Sequence, residues 1–144
     1  MSIADRLKAQ REEKAAANLE AGKLFLEENA KKEGVISLAS GLQYMILSNG
    51  TGPKPQIHNT VTCHYHGTVI SGDIFDSSVQ RGRPASFPLN AVIKGWIEGL
   101  QLMPTGSKFR FFIPPHLGYG NQQVSAVIGP NSTLIFDVEL ISFQ

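Results

Sequence analysis

The pattern of apolar and polar positions divides the chain into two regions that meet near Gly34. Before Gly34 there is no proline and a single glycine, and Ala, Glu, Lys and Leu predominate, residues that lose little rotamer freedom in a helix. Ser2 followed by Asp5 resembles a capping box, and a glycine is suited to terminate a helix. We therefore predict a helical extension over residues 1–34 and a separate domain over residues 35–144.

The apolar positions of the predicted helix lie at its two ends, Ile3 and Leu7 at the first and Leu24, Phe25 and Leu26 at the second. The residues between them on the same face are mostly polar or small. A long coiled coil needs an unbroken apolar seam, so the pattern favours a solvated helix whose last turns dock on the domain.

After Gly34 the apolar spacing changes to the period of two that is typical of strands. Four segments carry this strand pattern: residues 42–47, 61–66, 108–113 and 133–140. Between them, residues 90–94 predict one short helix, capped by Asn90 and stopped by Gly95. Strands predominate, and an antiparallel sheet must cover the short helix to close a core. The predicted fold class is α+β.

Composition and charge exclude several classes of protein. The net charge is +1, which predicts neither nucleic acid nor an anionic membrane as a partner. The single cysteine, Cys63, excludes an internal disulfide and a cysteine-cluster metal site. No secretory signal and no apolar run of membrane-spanning length is present. We therefore predict a cytoplasmic protein, with a periplasmic or surface location only if a leader was removed.

The usual catalytic motifs are missing from the sequence. It contains no nucleophile elbow, no phosphate-binding loop and no dinucleotide-binding glycine pattern. Strand alternation places Cys63 and His64 on opposite faces, which disfavours a nucleophilic dyad. His64 and His66 share a face and could hold a metal ion, but two ligands without a third are more typical of exposed strand histidines. We predict no metal site and no cofactor.

Aromatic residues are concentrated at strand ends, in loops and at a helix end. They are Tyr65, Phe75, Phe87, Trp96, Tyr119 and Phe136. Several such side chains converging could line an apolar cleft, the usual form of a small-ligand site. Asp76 follows Phe75 directly, and a carboxylate pressed between aromatic rings needs a charged partner. Arg81, five residues later, is the candidate partner.

These residues resemble, in order and spacing, the signature of the FKBP family of peptidyl-prolyl cis-trans isomerases. The matching motifs are residues 61–67, 72–78, 92–96, 106–108, 113–115, 117–120, 128–130 and 133–140. Residues 41–44 and 100–104 are similar to the bacterial macrophage infectivity potentiator branch, in which a long helix precedes the domain. The resemblance covers residues 41–143 and implies an antiparallel β-sheet wrapped around one short α-helix.

The resemblance also implies an aromatic cleft. Trp96 would form its floor, with Tyr65, Phe75 and Phe136 as walls. The other residues that the resemblance implies in the site are Asp76, Arg81, Phe87, Val92, Ile93, Tyr119, Val127 and Ile128. All of these positions lie beyond Gly41, so the predicted helix is not expected to contribute to the cleft.

Two hydrogen-bond donors are implied for the substrate carbonyls, the backbone amide of Ile93 and the hydroxyl of Tyr119. Two positions depart from the best-known short members of the family. Ala85 stands where those members carry an aromatic residue, and Val124 stands where they carry a histidine. We expect a wider cleft and weaker ligand binding as a result, with the floor intact.

The activity that the resemblance implies requires no nucleophile. Rotation about a prolyl bond loses amide resonance, with a barrier of about 18–20 kcal/mol, and nothing is attacked or deprotonated. An apolar cleft favours the twisted amide, which is less charge-separated than the planar one. We expect Asp76 to orient Tyr65 and Arg81 and not to act as a general acid.

The implied partners are prolyl peptides and unfolded protein clients, with tacrolimus- and rapamycin-type macrolides as inhibitors. We expect a monomer, or a weak dimer formed through the N-terminal helix. One alternative is a chaperone or prolyl-peptide-binding module with little turnover. A second is a metal-handling protein that uses His64 and His66.

Overall fold

A long helix followed by a seven-stranded antiparallel sheet forms the part of the chain that the computed structural model describes, residues 2–144. The helices are α1 (Ile3–Ala30), α2 (Ser78–Arg81) and α3 (Lys94–Leu100). The strands are β1 (Ile36–Ser37), β2 (Gln43–Ser48), β3 (Thr60–Val69), β4 (Ile74–Ser77), β5 (Ala85–Pro88), β6 (Lys108–Ile113) and β7 (Leu134–Phe143). Short 3₁₀ turns cover Leu89–Ala91 and Pro115–Leu117.

The strands are ordered β1-β2-β6-β7-β3-β4. Strand β5 lies on the same edge of β3 as β4: β5 pairs with the first part of β3, and β4 pairs with the last part. The predicted alternation is confirmed: in β3, Val61, Cys63 and Tyr65 are buried, and the residues between them are partly exposed. The inner face of the sheet packs on α3, whose Trp96 and Leu100 are buried. The predicted α+β fold, a sheet around a short helix, is confirmed.

The predicted position of the short helix is wrong. Residues 89–91 form a 3₁₀ turn, and α3 begins only at Lys94 and continues through Gly95. A Cβ at Gly95 would lie 2.9 Å from Ile113 Cγ2. The glycine therefore serves close packing of the helix on β6 and does not end the helix.

A second short helix, α2, was not predicted from the sequence. The Ser77 hydroxyl caps it by accepting a hydrogen bond from the backbone amide of Gln80 at 3.2 Å. Gly82, with φ of 79°, ends the helix in the left-handed conformation. This single turn is what brings Arg81 back towards β3.

Helix α1 begins at the predicted capping box, since the Ser2 hydroxyl accepts from the Asp5 amide and the Asp5 carboxylate accepts from the Ser2 amide. It ends at Ala30, earlier than the glycine signal indicated, and Gly34 adopts a φ of 87° in the turn that follows. The predicted domain boundary at residue 34 falls in this turn. Among residues 2–144, no helix has the length and hydropathy needed to cross a bilayer.

The docking of α1 is more extensive than predicted. Phe25 packs on Phe112, with ring centroids 6.0 Å apart, but Leu24 is exposed, so its predicted role in docking is wrong. The buried Asn29 side chain donates to Gln43 Oε1 at 2.8 Å. Because the contacts begin near Lys14 and reach Asn29, they extend over about four helical turns.

Candidate active site

A cleft of about 470 Å³ opens at one end of the sheet, where α3 begins. Strands β3, β4, β5 and β7 contribute to it, together with α3, the segment before α3 and the loop between β6 and β7. Its lining residues are Tyr65, Phe75, Asp76, Phe87, Ala91, Val92, Ile93, Trp96, Tyr119, Val124, Ser125, Ile128 and Phe136.

Trp96 lies at the centre of the aromatic lining. Its ring centroid is 5.5 Å from that of Tyr65, 5.6 Å from that of Phe87 and 5.3 Å from that of Phe136. All three rings stand nearly perpendicular to the indole, at 80°, 86° and 82°. Edge-to-face geometry is favourable because it places positive ring edges against a negative ring face. The indole is therefore held rigidly as a flat apolar surface.

Gly67 allows two of the aromatic walls to meet. Phe75 and Phe136 pack edge to face with centroids 5.2 Å apart. A Cβ at Gly67 would approach the Phe75 ring to 2.6 Å and the Phe136 ring to 2.8 Å. Both contacts are shorter than side chains tolerate, so the glycine in β3 is a requirement of the cleft wall.

One hydrogen-bonded group of three side chains borders the cleft. The Tyr65 hydroxyl donates to Asp76 Oδ2 at 2.7 Å, and Arg81 Nη2 donates to the Tyr65 oxygen at 2.8 Å. Arg81 Nη1 donates to Asp76 Oδ1, which makes an ion pair. The guanidinium carbon also lies 5.6 Å from the Tyr65 ring centroid. Arg81 does not line the cleft and acts on it through its two partners.

The ionisation states in this group follow from its geometry. Burial acts to raise the pKa of Asp76, but the hydrogen bonds from Tyr65 and Arg81 outweigh it and hold the pKa below its usual value. Burial, and then the hydrogen bond to Asp76, raise the pKa of Tyr65. Burial, and then the charge of Asp76, raise the pKa of Tyr119. At neutral pH the carboxylate is charged and both phenols are protonated, so none of the three is poised for proton transfer.

Besides the buried Trp96 Nε1, two hydrogen-bond donors on lining residues have no partner among residues 2–144. The Tyr119 hydroxyl forms no hydrogen bond to any of residues 2–144, and the Ile93 amide has no backbone acceptor there. The Ile93 carbonyl accepts from the Trp96 amide at 3.0 Å, which fixes the orientation of this peptide. Both donors are therefore available to acceptors on a bound chain.

Ser78 anchors the backbone of Tyr65, a role that was not predicted. Its fully buried hydroxyl accepts from the Tyr65 amide at 2.7 Å and donates to the Tyr65 carbonyl at 3.2 Å. His64 Nδ1 lies 2.9 Å from the same oxygen. The only hydroxyl proton is directed at the carbonyl, so the imidazole must donate through Nδ1.

The two histidines considered as metal ligands are held by serines. His66 Nδ1 lies 2.9 Å from Ser77 Oγ, just as His64 contacts Ser78. Within the described residues, no group of three His, Cys, Asp or Glu side chains is arranged to hold a metal ion. Cys63 is buried in the core, which raises the pKa of its thiol to about 12.

The structure brings all but two of the predicted site residues to the cleft. The exceptions are Arg81, described above, and Val127, which lines a separate cavity of about 280 Å³ beside α1. Val127 is directed away because the loop turns at Ser125, whose hydroxyl accepts from the Ile128 amide at 3.0 Å. Val124 lies at the rim of the cleft, whereas Ala85 does not line it.

Sequence reasoning missed Ala91 and Ser125 among the lining residues. Ala91 reaches the cleft because the 3₁₀ turn replaces the predicted helix. Serine favours turns because its hydroxyl can accept hydrogen bonds from backbone amides two or three residues later. That preference could have placed Ser125 at the bend.

Two family models match the chain. The model described as FKBP-type peptidyl-prolyl cis-trans isomerase matches residues 52–141. The model described as the domain amino terminal to FKBP-type peptidyl-prolyl isomerase matches residues 1–46.

Curated relatives are similar over nearly the whole chain. The FKBP-type isomerase FkpA of Aeromonas hydrophila is 52% identical over 95% of this chain and 51% of its own length. The FKBP-type 22 kDa isomerase of Escherichia coli is 50% identical over 96% of this chain and 68% of its own. Outer membrane protein MIP of Legionella longbeachae is 49% identical over 94% of this chain and 58% of its own length. The chain thus spans about half to two thirds of the length of these relatives.

Solved structures agree with the fold. The crystal structure of FkpA from Escherichia coli superposes with a TM-score of 0.91 at 44% identity, covering 95% of this chain and 64% of that one. A peptidyl-prolyl cis-trans isomerase from Pseudomonas syringae superposes with a TM-score of 0.84 at 39% identity, covering 90% of this chain and 96% of that one.

Proposed function

The chain belongs to the FKBP-type peptidyl-prolyl cis-trans isomerase family, and from this premise we propose that its aromatic cleft accelerates rotation about X-Pro peptide bonds. The observation that carries the proposal is the rigid indole of Trp96, enclosed by three nearly perpendicular rings. It provides a flat apolar floor for a proline ring. The unpaired donors of Ile93 and Tyr119 lie at the same cleft.

The proposed mechanism is differential binding of the twisted amide. The planar amide is the more charge-separated form, so transfer into an apolar cleft costs it more than it costs the twisted form. Donors at Ile93 and Tyr119 would hold carbonyls that flank the prolyl bond while that bond turns. Each tenfold acceleration requires about 1.4 kcal/mol of such differential stabilisation.

Asp76 would act in this mechanism as a positioning residue. Its carboxylate accepts a hydrogen bond from the Tyr65 hydroxyl and pairs with Arg81. The network fixes the tyrosine that forms one wall and places its aromatic ring against Trp96. No proton leaves the network during rotation, which agrees with the lowered pKa of Asp76 and the raised pKa of Tyr65.

A protease-coupled assay on an X-Pro tetrapeptide tests the activity. The uncatalysed conversion takes about 10–100 s, so acceleration at micromolar protein is readily measured. We expect a preference for an apolar residue before proline, because the cleft is aromatic. A conversion rate equal to that in buffer would exclude the proposed activity.

Phe136→Ala and Phe109→Ala form a matched pair for the same assay. Both phenylalanines are buried on neighbouring strands, and only Phe136 lines the cleft. Each truncation is expected to cost about 3–5 kcal/mol of stability. For Phe136→Ala alone, we expect kcat/KM to fall more than about tenfold, since the wall that excludes water is lost. Equal losses in the two variants, each shown to be folded by circular dichroism, would place the catalytic cleft elsewhere.

We further propose that tacrolimus- and rapamycin-type macrolides bind in the same cleft. Its volume and aromatic lining support this, and Val124 at the rim is the position where affinity can differ among family members. Calorimetry should give competition between macrolide and prolyl peptide. Peptide binding unaffected by saturating macrolide would contradict a shared site.

The alternative of a chaperone or prolyl-peptide-binding module with little turnover predicts a different result. Such a protein would assist the refolding of a client that has no proline, whereas an isomerase would not. The complete Tyr65–Asp76–Arg81 network and the Trp96 floor support turnover.

For assembly, we propose a monomer or a weak dimer formed through α1. Ile3 and Leu7, on the first turns of α1, are 73% and 56% exposed, and sedimentation over a range of concentrations would measure any association.

For location, the sequence predicts the cytoplasm, whereas the name of the Legionella relative, an outer membrane protein, favours the cell envelope. Fractionation of cells that express the full-length gene decides between them.

A further inference from the structure

Helix α1 is hydrogen-bonded to the segment that ends the loop between β6 and β7. Asn18 Nδ2 donates to the Pro130 carbonyl at 2.8 Å, and Asn131 Nδ2 donates to the Ala15 carbonyl at 3.2 Å. The two bonds run in opposite directions between one turn of the helix and two consecutive loop residues. Such a reciprocal pair fixes both the distance and the rotation of the loop relative to the helix.

Close packing supports the same contact on either side of the two bonds. A Cβ at Gly22 would clash with Thr133 Oγ1, and a Cβ at Gly129 would lie 2.8 Å from Lys14 Cε. Lys14, Asn18 and Gly22 are spaced by four residues and so form one stripe along the helix. The glycines allow this stripe and the loop to approach each other.

The contacted segment is continuous with the cleft. Ile128, a lining residue, immediately precedes Gly129, and its carbonyl accepts from the amide of Val124 at the rim. The Asn131 amide donates to the Gly120 carbonyl at 2.8 Å, next to Tyr119. Asn131 therefore bonds the helix to the segment at Gly120, and Pro130, which Asn18 bonds, follows the segment that ends at Ile128 and Gly129.

The backbone of Asn131 shows how strongly this arrangement is specified. Its φ is 57°, and it is the single non-glycine residue with positive φ among residues 2–144. Asparagine tolerates the left-handed conformation better than most residues. Here that conformation directs the amide to Gly120 and the side chain to α1.

We propose that helix α1 is a positioning element of the cleft, acting through Asn18 and Asn131 on the loop that carries Val124, Ser125 and Ile128. The inference rests on the proposed isomerase function and adds a determinant outside the cleft. Without the two bonds the rim becomes mobile while the Trp96 floor stays in place. Substrate binding then weakens, and the rotation step itself is preserved.

Two variants remove the contact from opposite sides in the full chain. Asn18→Ala removes one donor while raising helix propensity, so loss of the helix cannot explain its effect. Asn131→Gly removes the other donor and keeps the positive φ without strain. Gln10→Ala is the matched control, an exposed polar position on the same helix that is away from the loop.

Each variant is measured in two ways. In the tetrapeptide assay we expect KM to rise about fivefold in Asn18→Ala and in Asn131→Gly, the factor that corresponds to one lost hydrogen bond, with kcat retained. The chain has a single tryptophan, Trp96 in the cleft, so acrylamide quenching of its fluorescence reports on cleft access alone. We expect quenching to increase in Asn18→Ala and Asn131→Gly and to stay unchanged in Gln10→Ala.

The two readouts separate this proposal from the proposed function. If the chain does not catalyse isomerisation, increased Trp96 quenching still supports the positioning role of α1. If Asn18→Ala and Asn131→Gly both keep wild-type KM and wild-type quenching, the proposal is overturned, even where thermal stability has fallen. An equal change in Gln10→Ala would also overturn it.

Discussion

Asp76 shows how the neighbours of a single residue decide its chemical role. Its side chain is 43% exposed and that of Arg81 is 44% exposed, so the ion pair is accessible to water and screened by it. The hydrogen bonds from Tyr65 and Arg81 nevertheless prevail over burial, and the pKa of Asp76 falls. A carboxyl group that is ionised at all physiological pH values is suited to orienting a tyrosine and unsuited to donating a proton.

The Asp76→Asn variant tests whether this carboxylate orients Tyr65 or donates a proton. Asparagine keeps an acceptor for Tyr65 and loses the charge, so we expect kcat/KM to fall by less than about tenfold. Because the pKa of Asp76 is lowered, no ionisation of this group lies between about pH 5 and 8. The two pH–rate profiles should therefore be parallel over this range. An ionisation present in the wild type and lost in the variant would make Asp76 a general acid.

The same pKa shift has a consequence for stability. A carboxyl group with a lowered pKa in the folded state stabilises the protein above its unfolded pKa. That contribution is lost as pH falls through the folded pKa, below about pH 4. Acid unfolding of Asp76→Asn should lack this contribution, so the wild type should lose its advantage over the variant on acidification.

Helix α3 illustrates how an element is positioned against its propensity. Two of its residues are glycines, which disfavour a helix by about 1 kcal/mol each relative to alanine. A Cβ at Gly99 would lie 2.5 Å from Phe111 Cε1, and one at Gly95 would meet Ile113. The glycines let α3 lie close to β6, which brings Trp96 to the depth of the cleft floor.

Gly99→Ala tests this balance. In an exposed helix the change would be stabilising, but here we expect a loss of about 1–3 kcal/mol from overpacking against Phe111. Urea unfolding followed by far-ultraviolet circular dichroism measures the change. Lys94→Ala, at an exposed position of the same helix, should stay within about 0.5 kcal/mol of the wild type. A Gly99→Ala protein as stable as the wild type would mean that the helix can move away from the sheet.

On the scale of the whole molecule, α1 and the sheet are joined into one unit. Phe25 packs on Phe112, and the buried Asn29 amide group donates to Gln43, whose own amide donates to the Leu26 carbonyl. Both hydrogen-bond partners of the buried Gln43 side chain lie on α1. Undocking α1 without unfolding the sheet would leave the Gln43 side chain without its partners.

Unfolding in urea should therefore report one transition. We expect the helical signal at 222 nm, to which α1 contributes most, to coincide with the fluorescence of Trp96 in the cleft. Asn29→Ala should cost about 1–3 kcal/mol by leaving Gln43 unsatisfied. If the molecule is one unit, the variant shifts both signals equally. A shift confined to the helical signal would show that α1 unfolds independently.

Much of the architecture could be predicted because it follows from local patterns. The capping box at Ser2 and Asp5 and the alternation in β3 and β7 depend on neighbours a few positions away. In these two strands the periodicity indicates which face covers the core. In β6 it does not suffice, because Phe112, on the face opposite Phe111, is also buried where Phe25 of α1 packs on it. The aromatic cleft residues were recognisable because aromatic side chains at irregular positions, in the order of a known family, leave few alternatives.

The sequence by itself therefore determined the long helix, the sheet, its buried face and most of the cleft lining. Only the tertiary structure decided where α3 begins, that Leu24 faces solvent and that Val127 turns away from the cleft. It alone showed that Asn18 bonds Pro130, a contact across 112 positions. The physical reason is that a glycine such as Gly95, or an asparagine such as Asn131, carries the same local signal whether it ends an element or accommodates a distant one. The partner that decides between these roles lies far away in the chain.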